Sequence, residues 1–317
     1  MALRKHTQLI KSAAADLQFD ACGIADAAAI DPDSRLDTWL SAGYHATMEW
    51  MARSRDVRVD VQQKLPGTQS VIVLARNYYA ERPTDELGDG RVSRYAWGRD
   101  YHRALRKPLR ALADTIESLA PGAETYCSID SGPVMEKAWA ERAGIGWLGK
   151  NTLVLRRDLG SWFFLATILT TLKLEADAPV ADQCGGCRLC LDACPTNAFV
   201  EPRVLDSNKC ISYQTIENRG DVPDEIATNH GDWVFGCDIC QEVCPWNRAP
   251  SETDETDFFP RVGHANPNVD RLQKMDDDSF LKEFAGTPIM RAKNRGMQRN
   301  AAIAEKNLAA PPHENER

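Results

Sequence analysis

No apolar run in this 317-residue sequence is long enough to cross a bilayer: the longest, Trp162 to Leu169, is far short of the roughly 20 residues a transmembrane helix needs. The N-terminal stretch Met1 to Ala15 is polar and amphipathic, without the apolar core of a secretory signal, and no twin-arginine leader is present. The expectation is a cytoplasmic protein with no membrane partner. Positive charge is in deficit, 38 Lys and Arg against 46 Asp and Glu for a net charge of -8. That excludes a protein that holds nucleic acid by bulk electrostatics, so any nucleic-acid substrate would need a local basic patch. No Gly-x-Gly-x-x-Gly follows a strand pattern, which removes the dinucleotide fingerprint. Hydrophobic content of 43% and charged content of 26% are those of an ordinary globular protein. The length suits about two domains.

Cysteine is abundant in one place. Eight of the ten cysteines lie between Cys184 and Cys244. Cys184-x2-Cys187-x2-Cys190-x3-Cys194-Pro195 opens the stretch, Cys237-x2-Cys240-x3-Cys244-Pro245 closes it, and Cys210 stands between. The first run has the bacterial-ferredoxin spacing, in which three thiolates hold one cubane and the fourth reaches across to the other. Two residues between ligands let a tight turn wrap three corners of a cube, and the proline after the last ligand fixes φ. The second run lacks its first cysteine, and Cys210 is the candidate to supply it. Cys184, Cys187, Cys190 and Cys244 are therefore assigned to one 4Fe-4S cluster, and Cys194, Cys210, Cys237 and Cys240 to a second. Structural zinc and disulfides compete, but zinc ribbons use separated knuckles and disulfides suit small secreted domains. Cys22 and Cys127, outside the runs, read as buried small hydrophobes.

Along the chain, apolar spacing predicts a helix over residues 4–19, a strand at Cys22–Ala25 and a single helix from Asp31 to Trp50. A turn at Leu65–Gly67 precedes the β-branched strand Val71–Ala75. A polar loop spans Glu81–Arg91, and a helix runs from His102 to Leu119. Strand Thr125–Ile129 delivers Asp130, a helix follows over Val134–Ala143, and a glycine loop at Gly146–Asn151 feeds strands Thr152–Leu155 and Trp162–Thr170. The fold class expected is α/β, with an α+β first domain, an inserted bacterial-ferredoxin-like two-cluster module and a short helical C-terminal tail. The boundaries expected are 1–175, 176–255 and 256–317. In the last segment, 256–278 reads as a connection, Ser279–Ala310 as helical and Pro311–Arg317 as frayed. Asp100–Leu105 begins like a corrinoid Asp-x-His-x-x-Gly motif, but Leu105 replaces the glycine, so the match reads as chance.

Several longer stretches carry a resemblance. Arg94-Tyr95-Ala96-Trp97-Gly98-Arg99-Asp100-Tyr101-His102, Asp130-Ser131-Gly132-Pro133-Val134-Met135-Glu136-Lys137 and Ala143-Gly144-Ile145-Gly146-Trp147-Leu148-Gly149-Lys150-Asn151 are similar to the epoxyqueuosine reductases. So are the order of the cysteine runs and the tail Arg295-Gly296-Met297-Gln298-Arg299-Asn300-Ala301. The resemblance covers nearly the whole chain. It implies cobalamin, two 4Fe-4S clusters and removal of the epoxide oxygen from epoxyqueuosine at the wobble position of tRNA, the last step of queuosine synthesis. Longer members of that family continue into HEAT-like helical repeats. The implied partners are tRNA carrying epoxyqueuosine and an unidentified low-potential electron donor, and the expected state is a monomer. A corrinoid reductive dehalogenase, or an electron-transfer or corrinoid-reactivating protein, is the alternative.

The resemblance also distributes roles. Asp130, at a strand end, matches the family's proton donor and is expected to be desolvated enough to stay protonated; otherwise it caps the helix beginning near Val134. Arg58 matches a position near the cofactor, against the reading of a solvated arginine in a charge run. Ser93 falls where relatives can place a cysteine near cobalamin, which removes any thiol role. Val154 and Leu165 would line the pocket through backbone contacts or belong to the core. Tyr213 would bridge corrin and cluster or pack around the cubane. Lys150 and Asn151 would present the glycine loop to corrin amides or only close a turn, and His102 would support the pocket's polar network. Five basic residues against one acid within Leu281–Asn300 (Lys282, Arg291, Lys293, Arg295 and Arg299 against Glu283) form a candidate phosphate-contact patch, or a solvated helix face.

Overall fold

Every residue of Ser70–Asn77 is buried, and alternation along this strand sends Ile72 and Leu74 to one face of a sheet and Val71, Val73 and Ala75 to the other. The structure, a computed structural model, describes residues 2–31, 33–84 and 88–310. The sheet comprises β1 (Ala21–Asp26), β2 (Ser70–Asn77), β3 (Thr125–Ser128) and β4 (Phe163–Thr170) in the order β1-β2-β4-β3, antiparallel at each pairing. The expectation is thus met in its α+β form. Helices α1 (Ala2–Asp16) and α2 (Tyr101–Leu119) bury Ile10, Ala14, Leu105, Leu109, Leu112 and Ile116 against one face. Helix α3 (Glu136–Arg142) lays Trp139 and Ala140 on the other. Each such large side chain contributes about 1.5–3 kcal/mol.

A further core joins all three expected segments. Val92 and Trp97, Val234 and Phe235, and Phe284, Met297 and Ala301 pack together. Its helix α4 (Lys293–Ala309) carries Met297, Asn300, Ala301 and Ala304 on the buried side.

Four expectations change. The helix from Asp31 to Trp50 is two pieces, Arg35–Ser41 and the start of Glu49–Arg53, because Gly43 (φ 72°) and Ala46 (φ 52°) reverse the chain between them. Segment 256–278 is no mere connection: helix Val269–Lys274 buries Val269 and Leu272, and Phe258 also lies in a core. The Glu81–Arg91 loop ends in a strand, Arg91–Val92, parallel to Trp233–Phe235. Within the tail, Gly286 (φ 75°) and Pro288 divide the helix into Asp277–Phe284, a 3-10 turn at Pro288–Arg291 and α4. The end at Pro311–Arg317 lies outside the described residues.

Candidate active site and cluster cradles

Asp130 lies just past β3 with φ 56°, a left-handed conformation that aspartate tolerates better than most residues. It does not cap α3, whose N-cap is Met135 with no side-chain bond. Instead the Tyr101 hydroxyl donates to Asp130 Oδ2 at 2.6 Å. Tyr101 is fixed between rings, stacked on Phe164 at 4.3 Å and on His102 at 4.1 Å. His102 Nε2 stands 3.8 Å from the same carboxylate oxygen, and its Nδ1 is 2.7 Å from Asp100 Oδ1. Asp100 caps α2 through the His102 backbone N–H, which accounts for the near match to a corrinoid motif. The Asp130 side chain is 67% exposed, so the expected desolvation by the protein itself is absent.

The less exposed acid is Glu136, which is half-buried. Desolvation, helped by the nearby charge of Asp130, pushes its carboxyl up to about 7, although Ser128 Oγ donates to it at 3.0 Å. Arg58 is partly buried with its Nε on Ser54 Oγ at 2.9 Å; burial lowers its pKa, while Glu136 and Asp130 favour its charge. This separates it from Arg55, which is engaged by Asp37 and Asp56. Lys137 donates to the Thr152 carbonyl at 3.1 Å. Its surface is accessible, yet surrounding protein desolvates it and lowers its pKa. Asp130 and Glu136 act on it electrostatically, and so do Cys240 and Cys210.

The cysteines form two cradles. Cys184, Cys187, Cys190 and Cys244 line one cavity with Trp246, and Cys194, Cys210, Cys237 and Cys240 line another with Ile211 and Ile239. All ten cysteines are free thiols. Among the described residues no three His, Cys, Asp or Glu side chains converge as a single ion requires. Sulfurs spaced around a cavity suit a cubane of four irons rather than one zinc. The glycine loop serves these cradles. Lys150 Nζ donates to the Gly185 and Cys187 carbonyls, both at 2.7 Å, and Asn151 Nδ2 to the Cys240 carbonyl at 3.3 Å. Gly146 is required where it stands, since a Cβ would strike the Leu155 carbonyl of the returning strand.

Ser93 is buried, its Oγ bonded to Asp238 between the ligand positions Cys237 and Cys240. Tyr213 is buried and its hydroxyl pairs with Thr47 Oγ1 at 2.6 Å. The Val154 side chain belongs to the core beneath α3, and Leu165 packs against it. In the tail, Arg291 is bound by Glu217 and Arg299 by the Asn218, Gly220 and Gln214 carbonyls, which leaves Lys282, Lys293 and Arg295 as the outward cations. Cys22 and Cys127 pack against the α1–α2 core, where burial pushes their thiols up to about 12 and about 11. Tyr101, Glu136 and Lys137 had no role from sequence. Their only signal was position inside motifs shared with a family, because the contacts that define them cross from one element to another.

An antiparallel α+β domain with an acid-bearing cleft, joined to a pair of four-thiol cradles, defines an iron–sulfur oxidoreductase. Residues 183–247 match the family of 4Fe-4S double cluster binding domains, and residues 58–131 match that described as epoxyqueuosine reductase QueG, DUF1730. The chain is 46% identical over 287 residues to the epoxyqueuosine reductase of Synechocystis, covering 88% of this chain and 98% of that one. It is 47% identical over 302 residues to that of Gloeobacter violaceus, covering 93% and 94%. A crystal structure of epoxyqueuosine reductase with an epoxyqueuosine-modified tRNA-Tyr stem loop superposes with a TM-score of 0.88 at 31% identity, over 95% of this chain and 81% of that one. The chain belongs to the epoxyqueuosine reductase family. Among the described residues no helix is long and apolar enough to cross a membrane.

Proposed function

We propose that this protein reduces epoxyqueuosine to queuosine in tRNA, with Asp130 as proton donor. The observation that carries the reading is an accessible Asp130 carboxylate held by Tyr101 and faced by His102, in a chain whose clustered cysteines line two four-thiol cradles. Deoxygenation of an epoxide consumes two electrons and two protons and releases water, leaving an alkene. The clusters pass electrons singly. The cradle of Cys194, Cys210, Cys237 and Cys240 is the one whose thiols act on Lys137, and hence the one beside the chemistry.

The residues present fit a corrinoid: Arg58 and Lys137 put positive charge beside Asp130, and Tyr213 stands three residues from the ligand position Cys210 with its hydroxyl held by Thr47. Arg58, Ser93, Asp130, Val154, Leu165 and Tyr213 are the residues assigned to hold it, Ser93 through the Asp238 network. Cobalamin, when bound, supplies a strongly reducing, nucleophilic metal centre. Asp130 protonates the epoxide oxygen as its carbon–oxygen bond breaks, and Tyr101 orients the carboxyl that does so. With cofactor and nucleoside in place, Asp130 loses the water that now reaches it, which supplies the desolvation that the open protein lacks.

Residues 1–175 are assigned to cobalamin and catalysis, 176–255 to the clusters and 256–317 to tRNA contact. Lys282, Lys293 and Arg295 are the candidates for phosphate. A low-potential donor supplies electrons to a cytoplasmic monomer. In the test, anaerobic protein, a strong reductant and epoxyqueuosine tRNA are combined with and without cobalamin, and the digested nucleosides are weighed by mass spectrometry. Loss of one oxygen only with cobalamin supports the reading. Retention of oxygen by protein with intact clusters and bound cobalamin overturns it.

A further inference from the structure

The stoichiometry just given leaves one proton without a source. Both protons end on the departing oxygen, the first as one carbon–oxygen bond opens and the second as the oxygen leaves as water. A single carboxylic acid carries one. We propose that His102, held by Asp100, returns a proton to Asp130 within each turnover. The inference rests on the proposed epoxide reduction.

The geometry singles out this imidazole. Asp100 Oδ1 lies 2.7 Å from His102 Nδ1 and also accepts the His102 backbone N–H at 3.0 Å, so the ring is pinned with Nδ1–H toward Asp100. Burial works against charge on Asp100, but the hydrogen bonds from His102 prevail and hold its carboxyl below the usual range. That fixed tautomer aims Nε2 at Asp130 Oδ2, 3.8 Å away. The step balances: the imidazolium Nε2–H bond breaks, an O–H bond forms on the Asp130 carboxylate, and neutral His102 takes a proton from water. Its side chain is 31% exposed at the start of α2, so it keeps a solvent edge.

The other neighbours serve less well. Tyr101 already donates to Asp130, but burial and the Asp130 charge raise its pKa far above that of an ordinary phenol, so it orients the acid without surrendering its proton. Glu136 holds Ser128 and has no hydrogen bond to Asp130 among the described residues. Open to water, Asp130 needs no relay; covered by substrate, it does.

The test uses cobalamin-loaded protein with both clusters. His102→Ala should bind cobalamin and tRNA normally but lose oxygen from the nucleoside about 100-fold more slowly. Imidazole in the buffer should restore most of the rate, and pyrazole, the same size but scarcely basic, should not. Rescue by both shows a space-filling role and overturns the proposal, as do rescue by neither and an undiminished rate. A second arm is independent of turnover. In protein labelled with nitrogen-15 histidine, Asp130→Asn should move the His102 Nε2 resonance, and Asp100→Asn should alter the Nδ1–H tautomer. Unmoved resonances overturn the relay whatever the substrate. Wild-type protein that removes no oxygen, with both resonances responding as expected, overturns the substrate reading and leaves the coupling of His102 to Asp130 standing.

Discussion

The two cradles share a ligand chemistry and differ in almost everything around it. That of Cys184, Cys187, Cys190 and Cys244 opens on a cavity of about 270 Å³, its Cys187 is exposed, and a Cβ added at Gly185 or Gly186 would meet nothing within 4 Å. That of Cys194, Cys210, Cys237 and Cys240 closes on about 40 Å³ with no exposed thiol, although burial pushes up thiols in both, Cys210, Cys237 and Cys240 here and Cys190 and Cys244 there. The larger cavity and the exposed Cys187 make the first the easier of the two to reach. On the proposed function, electrons would come in at the open cradle and leave from the closed one, toward Lys137 and Asp130. Cys190 of the first set acts electrostatically on Cys240 of the second, as neighbours do.

The sharpest way to break this comparison is to remove one ligand on each side. Cys240→Ser should lower iron from about eight to about four atoms per chain, and abolish oxygen removal under any reductant. Cys187→Ser should lose activity with a protein electron donor but keep part of it with a small reductant able to reach the closed cluster. Equal losses in both assays would deny the division of labour. Next in size, Asp130→Asn should slow oxygen removal by about 10²–10⁴-fold while both cluster signals and cobalamin uptake persist. A fall in cluster content instead would make Asp130 a structural residue.

Local spacing was readable from sequence and long-range contact was not. Each cradle draws on both cysteine runs, and the pitch of ligands within a run is a property of a few turns of chain. Strand β2 was likewise legible, since a β-branched run buried on both faces has few other fates. The role of Lys150 was missed because its partners at Gly185 and Cys187 lie 35 and 37 residues away. Asp130 was placed at a strand end correctly, but its exposure depends on what fills the cleft, which no pattern encodes. The helix expected over Asp31–Trp50 failed at Gly43 and Ala46, where two left-handed residues outweigh aromatic spacing.

Acid should act on the shield of the closed cradle. His230 precedes the Trp233–Phe235 strand that leads to Cys237, and His264 packs on Phe284 at 5.0 Å in the same part of the molecule. Burial pushes both imidazoles down from 6.5 to about 4. The folded state then binds fewer protons than the unfolded chain between those values, so stability is full above about pH 6.5 and falls as pH drops toward 4. Each histidine should contribute about 3 kcal/mol to that fall. Thermal unfolding from pH 7 to pH 5 should show it, and His264→Phe should flatten the slope. An unchanged slope would place the acid sensitivity elsewhere.

The finest distinction between the cradles is electrostatic. Lys150 donates its ammonium directly to two carbonyls of the open cradle's loop, whereas the closed cradle receives the neutral amide of Asn151 and feels the charge of Lys137 from its place on the Thr152 carbonyl. A positive charge beside a cluster favours the more negative, reduced state. Lys150→Met keeps the stem and removes the charge, so the open cluster should become harder to reduce while the closed one keeps its potential. The shift should be small because Lys150 is only half-buried, its hydrogen bonds lie at the surface and solvent screens them. A redox titration followed by electron paramagnetic resonance separates the two signals. If both move together, Lys150 sets the position of the glycine loop as a whole, and the open cradle is not tuned apart from the closed one.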